Sequence, residues 1–247
     1  MMSGLYEALR GALEKQRGAA LATVVQGPNN IGAKLLLLPG QAPQGNLGSE
    51  SLNQQVVPLA EQATWSGISA THTLTLPQGD YEVFIEGYAP PPTLIIVGAG
   101  HIAIPLTTFA KTLNYRVIVV DARAAFATPE RFPHADELIV EWPDEALEKL
   151  DLNPSTAIAV LTHDPKFDEP TLKVVLAHKV GYVGAIGSRK TGAERAERLK
   201  QEGLSEEQVQ RIHGPIGLNI GASSPEEIAL AIMAEIVATR HGKTLTA

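Results

Sequence analysis

Cysteine is missing from all 247 residues, which removes disulfides, thiolate metal sites, iron–sulfur clusters and any cysteine nucleophile. Aromatic residues are scarce at 5%, leaving few platforms on which bases could stack. Positive charge is also in short supply. The formal net charge is −7, spread as −3 over residues 1–92 and −4 over 93–247, which argues against nucleic-acid binding by phosphate neutralisation. No apolar run approaches the ~20 residues of a membrane helix, and the opening MMSGLYEALR has no basic-then-apolar leader layout, so a cytoplasmic location away from membranes is predicted. The 22 glycines and 17 prolines follow no G-X-Y period, and no internal repeat is visible. What remains is ordinary globular composition, 44% hydrophobic and 19% charged, at a length that suits one large domain or two modest ones.

Ala89-Pro90-Pro91-Pro92 marks the break, because consecutive prolines continue neither a helix nor a central strand. The pattern predicts an N-terminal α+β domain over 1–89, a proline linker at 90–92 and a C-terminal domain over 93–247. In the first part, Leu5–Gln16 has helical spacing, Ala19–Val25 and Lys34–Leu38 read as strands, and Ser69–Leu76 and Tyr81–Glu86 alternate like half-buried strands. Glu50–Gln62 has a helical pattern weakened by Pro58. The second part alternates short apolar strands (94–97, 116–120, 137–140, 156–161, 182–185) with helical segments (102–113, 144–150, 169–178, 191–201, 205–212, 225–240). Such alternation predicts an α/β fold with a Rossmann-like parallel sheet covered by helices on both faces. The basic stretch Arg189–Lys200, interleaved with Glu194 and Glu197, reads as a salted, solvent-facing helix surface.

Leu94-Ile95-Ile96-Val97 runs into Gly98-Ala99-Gly100-His101-Ile102-Ala103, a GxGxxA turn placed between strand and helix as a dinucleotide fingerprint requires. Gly98 suits the tight turn, Gly100 the close approach of a phosphate, and Ala103 the close packing of helix on strand. Asp121 ends the next strand, where an acid accepts from a ribose 2′-OH, and Arg123 is placed to meet a 2′-phosphate; NAD and NADP both stay open. His101 is either an anion donor or acid/base near neutral pH, or a solvent-facing helix-start residue. Thr162-His163-Asp164-Pro165 follows a strand, where ligands of open α/β sheets bind, and capping is the alternative role for Thr162 and Asp164. No HxxxH or HxH pair lies nearby, so no metal site is predicted.

Gly187-Ser188-Arg189-Lys190, within Gly184–Thr191, is not a Walker A loop, because no glycine directly precedes a Lys-Ser/Thr pair. Its glycine, hydroxyl and cations at a strand-to-helix junction still suit an anion, as they suit a plain turn with surface cations. His213-Gly214-Pro215-Ile216-Gly217-Leu218-Asn219-Ile220-Gly221-Ala222 can bring backbone close to a ligand or form an ordinary loop. No GxSxG elbow supports hydrolase chemistry.

In order and spacing, GAGHIA, VVDAR, RFPHAD (131–136), LTHDPKFDEPTL (161–172), YVGAIGSRKT (182–191) and HGPIGLNIGASSPEEIALAIMAEI (213–236) closely resemble the C-terminal Rossmann domain of xanthine dehydrogenase accessory factors, the XdhC/CoxI group. More loosely, ATVVQGPNNIGAKLLLLPG (22–40) and GSESLNQQV (48–56) are similar to the family's first half, although Glu50-Ser51-Leu52-Asn53 stands where the family usually has a glycine pair and often a cysteine. The resemblance implies an accessory protein without turnover of its own. Such proteins bind molybdenum cofactor, help sulfurate it with a cysteine desulfurase partner, and insert it into a xanthine dehydrogenase- or CO dehydrogenase-type apoenzyme; they are commonly homodimers. On this reading Gly98–His101 or Gly187–Lys190 hold the cofactor's phosphate, and His163, His213 and Asn219 reach its pterin. The alternatives are an NAD(P)-dependent oxidoreductase using the same crevice, with His101 or His163 as acid/base, and a nucleotide-binding regulatory protein.

Overall fold

The computed structural model describes residues 2–243. The chain divides between Pro90 and Pro91 into two compact units. In the first, α1 (Met2–Glu14) leads into β1 (Ala19–Gln26), β2 (Lys34–Leu37), β3 (Gln44–Asn46), α2 (Glu50–Ser66), β4 (Ala70–Leu76) and β5 (Gly79–Tyr88). The five strands form one antiparallel sheet in the order β3-β2-β1-β5-β4. Ala20, Ala22 and Val24 of β1 and Val83 and Ile85 of β5 alternate onto one face, where Leu52, Val56, Ala60 and Ala63 of α2 cover them. These four sit at helical spacing, and that burial carries α2 through the exposed Pro58, beyond the point where the sequence pattern weakens. Ser49 caps the helix at Leu52 N–H, and Gly67, at φ 68°, closes it onto the Ala63 carbonyl.

The second unit runs β6 (Thr93–Val97), α3 (Ala103–Thr112), β7 (Arg116–Val120), β8 (Glu137–Ile139), α4 (Pro143–Glu148), β9 (Thr156–Val160), α5 (Pro165–Leu176), β10 (Tyr182–Ala185), α6 (Arg189–Gln201), α7 (Glu206–Gln210), β11 (Ile212–His213) and α8 (Pro225–Arg240). Its six strands are all parallel, in the order β8-β7-β6-β9-β10-β11. Numbered within this unit, that is 3-2-1-4-5-6, the doubly wound order. The inner strands β6, β7, β9 and β10 are short, nearly continuous apolar runs because both of their faces are buried, while the edge strands β8 and β11 are only half-buried. Leu94, Ile96, Val117, Val119, Ala157 and Ala159 point to a core shared with α3 and α8, and Ile95, Val97, Ile118, Val120, Ile158 and Val160 to one shared with α4, α5 and α6.

Several boundaries differ from the sequence pattern, three of them for reasons the hydrogen bonds show. Helix α5 begins at Pro165, four residues early, because Asp164 accepts from Lys166 N–H and Pro165 occupies the first turn, where its missing N–H costs nothing. Helix α6 starts at Arg189, capped by Ser188 at Thr191 N–H. Ile212 leaves the predicted seventh helix to pair with Val183 as part of β11. No helix among the described residues is long and apolar enough to cross a membrane.

Candidate functional site at the carboxyl ends of the parallel strands

The strand order reverses between β6 and β9, so the chain diverges above their carboxyl ends and leaves a crevice there. The Gly98–Ala103 turn forms its floor. Gly98 has φ 103°, and a Cβ on it would lie 2.9 Å from Thr162 Cγ2, so this glycine is required by the adjoining β9 loop. At Gly100 a Cβ would meet nothing within 4 Å, so this position faces open space. Ala103 is fully buried against the sheet. Helix α3 has no side-chain cap at its N-terminus, so its first N–H groups are left to water or an anion. His101 is exposed beside them.

Asp121, just past β7, is only 3% exposed. One carboxylate oxygen accepts from Ala99 N–H at 2.8 Å and from Arg123 Nη2 at 2.7 Å; the other accepts from Arg123 N–H and Nε, both at 2.9 Å. Burial works against its charge, but these donors outweigh it and hold the carboxyl below its usual range. The guanidinium of Arg123 lies 4.2 Å above the Phe126 ring.

A second buried pair ties the loops after β9 and β10 together. Asp168, in the first turn of α5 and 1% exposed, accepts from Thr162 Oγ1 and from Arg195 Nη2 at 3.1 Å; the same nitrogen donates to the Ile186 carbonyl at 2.8 Å. Arg195 is therefore not part of a solvent-facing surface. It is 4% exposed and turned inward from α6, while Lys190, Arg198 and Lys200 make the outward ion pairs. Burial is the largest influence on Asp168 and raises its pKa, although Thr162, Arg195 and His163 pull it back. Between Thr162 and Asp164 the chain turns through a left-handed His163 at φ 64°, uncommon for a residue with a side chain, which leaves its imidazole exposed at the crevice. Asp164 serves as the cap of α5.

Gly187, at φ 141°, lets the chain leave β10 for α6, with Ser188, Arg189 and Lys190 all exposed. His213 ends β11 beside Gly184, and its ring stacks on Tyr182 at 4.6 Å. Its Nδ1 lies 3.1 Å from Glu235 of α8, whose other oxygen accepts from Tyr182 Oη at 2.5 Å and from Gly217 N–H at 2.8 Å. Burial opposes charge on Glu235 as well, yet His213, Tyr182 and Gly217 hold its pKa down. Gly217 and Leu218 lie against α8, where Leu218 N–H donates to the Ala231 carbonyl at 3.2 Å. The close backbone approach in this segment is thus to the helix, and Asn219 stands exposed in the loop beyond.

The crevice therefore gathers Gly98, Gly100, His101, Thr162, His163 and the 187–190 turn at the ends of adjacent strands, while His213 is committed to Glu235. Four residues that organise these segments escape motif reading: Asp168, Arg195, Tyr182 and Glu235. Main-chain N–H groups of the open turn, exposed imidazoles and nearby cations make a donor set that fits an anionic, phosphate-bearing ligand. No cluster of three or more metal-ligating side chains occurs among the described residues.

These features define a Rossmann-type domain with a donor-rich crevice at its topological switch point. More particularly, the chain belongs to the XdhC family: residues 94–236 match the family model of the XdhC Rossmann domain. It is 36% identical over 170 residues to a protein of Bacillus subtilis (strain 168) described as a probable component of xanthine dehydrogenase, covering 68% of this chain and 49% of that protein. It is 31% identical over 99 residues to the molybdenum cofactor insertion chaperone PaoD of Escherichia coli (strain K12), covering 40% of this chain and 30% of PaoD. The chain thus spans about half the length, or less, of these curated relatives. A crystal structure described as a xanthine dehydrogenase from Bacillus halodurans shares the fold, with a TM-score of 0.56 at 21% identity over 97% of this chain and 96% of that one.

Proposed function

We propose that this chain is an accessory protein of molybdoenzyme maturation that carries molybdenum cofactor in its C-terminal crevice and delivers it to a xanthine dehydrogenase-type client. The observation that carries the reading is the Gly98–His101 turn, open at Gly100 and leading into the uncapped start of α3, in a domain of the XdhC family. The N–H groups of Gly100 and His101 receive the cofactor's phosphate, since those of Gly98 and Ala99 are held by the Val120 carbonyl and Asp121; the second anion seat is the 187–190 turn with Ser188, Arg189 and Lys190, and His101 and His163 approach the pterin edge. The molybdenum centre supplies the redox chemistry of the client. This chain's residues bind the phosphate, orient the pterin and shield it. Sulfuration with a cysteine desulfurase, and a homodimer as the working unit, extend the same proposal.

The test is an anaerobic titration of the purified protein with molybdenum cofactor and, separately, with NAD(H) and NADP(H). Saturable cofactor binding at micromolar protein, followed by transfer to an apo-dehydrogenase, is the expected result. Tight nucleotide binding without cofactor binding overturns the reading in favour of an oxidoreductase or nucleotide sensor. Gly100→Ala, whose methyl enters open space, is expected to leave melting unchanged and weaken cofactor binding by about tenfold or more, because the methyl holds the charged phosphate off a main-chain N–H that it would otherwise reach. Unchanged binding by this variant removes the turn as the phosphate seat.

A further inference from the structure

We infer that Arg123 sets the ligand specificity of the crevice by engaging, with its own guanidinium, the carboxylate that a nicotinamide dinucleotide would use; the inference rests on reading the crevice as the ligand site. In a dinucleotide-binding Rossmann domain the acid ending the second strand accepts from the ribose 2′-OH. Asp121 occupies that place after β7. An ionised carboxylate offers about four lone-pair sites, and four N–H donors already meet this one. Two of them, from Ala99 and Arg123, are main-chain and fix the carboxylate. The other two are the Nε and Nη2 of Arg123, a bidentate charge-assisted pair that a neutral hydroxyl displaces poorly. The Phe126 ring under the guanidinium and the nearby charge of Asp164 both favour Arg123 in this position.

A 2′-phosphate meets the converse obstacle. The cation it needs is matched by Asp121, whose negative charge opposes a second anion at close range. Neither nicotinamide dinucleotide therefore finds its usual ribose contact, whereas in the Gly98–His101 turn the N–H groups of Gly100 and His101 are not taken up by hydrogen bonds among the described residues and remain free to take a phosphate. The crevice selects an anionic ligand that is not read through a ribose 2′ position.

The experiment titrates wild type, Arg123→Ala and Arg123→Leu with NADH and with NADPH by nucleotide fluorescence, with thermal melts as a check of folding. Both variants keep the two main-chain donors to Asp121, and Arg123 is substantially exposed, so the fold is expected to persist. Wild type saturates with neither nucleotide, and the variants bind NADH at least about tenfold more tightly than wild type does, the worth of one hydrogen bond to a freed carboxylate. NADPH binding does not improve, because the bare carboxylate repels the 2′-phosphate. Saturation of wild type by either nucleotide at micromolar concentration overturns the inference, and so do folded variants no better at binding NADH than wild type. Molybdenum cofactor titrated in parallel against wild type reads the carrier function separately.

Discussion

Replacing Arg195 by methionine isolates the energetics of the pair that joins the loops after β9 and β10. The substitution keeps an unbranched apolar stem but removes the donor to Asp168 and to the Ile186 carbonyl, both inside the protein. Asp168, 1% exposed, is then left with Thr162 alone. Removing one partner of a buried ion pair costs about 3–5 kcal/mol, because the remaining charge stays desolvated. For domains of roughly 150–250 residues, about 2–4 °C of melting temperature corresponds to each kcal/mol, so the expected loss is roughly 6–20 °C by circular dichroism. The loss depends on pH with a definite sign. Burial already raises the Asp168 pKa, and Arg195 is one of the groups pulling it down, so its removal raises the pKa further. A carboxyl whose folded pKa lies above its unfolded value favours the folded state below the unfolded pKa, and that advantage is lost as pH rises through the folded pKa. The deficit of Arg195→Met is therefore greatest near neutral pH and narrows as the pH falls and Asp168 takes up its proton, which it does above the ordinary carboxylate range. Asp168→Leu combined with Arg195→Met should recover at least half of the loss, since apolar replacement of a buried pair is often neutral. A single variant losing less than about 2 °C, or a deficit that stays constant as the pH falls, refutes the reasoning.

Glu235→Gln removes the charge and leaves one oxygen to accept, so an NH₂ replaces either the acceptor shared by Tyr182 and Gly217 or the one facing His213, and should cost about 1–3 kcal/mol of stability. Because the Glu235 pKa is depressed in the fold, that contribution is present above the ordinary carboxylate range and lost as pH falls through the folded value; melts in an acid series should show wild type and variant converging. Gly217→Ala and Gly221→Ala both force a left-handed alanine, worth about 1–2 kcal/mol each. The Gly217 variant should melt lower, because its methyl would also stand 3.0 Å from the Ile232 nitrogen of α8, whereas that of Gly221 meets nothing within 4 Å.

The parallel sheet was legible because strands buried on both faces read as short apolar runs, and the GxGxxA turn because two of its small residues have a steric reason to be there: Gly98 against Thr162, Ala103 against the sheet. Motif reading stopped at side chains whose partner lies on another element. Asp121 stands where the fingerprint places an acid, but its capture by Arg123 is a contact two residues along that a linear motif does not encode. Asp168 and Arg195 left a fainter trace. Asp168 is four positions before Leu172 and eight before Leu176, and Arg195 four before Leu199, so each lies on the apolar stripe of its helix. Opposite charges on the buried stripes of two helices that cover the same sheet face are costly unless paired, and pairing is what the structure shows. The same logic reaches Glu235, set between Ile232 and Ile236 on α8 and met there by Tyr182 and His213. In each case a charge held inside the protein fastens a loop: Arg195 and Asp168 hold the turns after β9 and β10, Glu235 holds the segment after β11, and Asp121, just past β7, holds the glycine turn after β6. With these anchors engaged inside the protein, N–H donors, hydroxyls, imidazoles and cations are left facing the crevice, with the exposed carboxylate of Asp164 set against them, a balance that suits an anionic ligand.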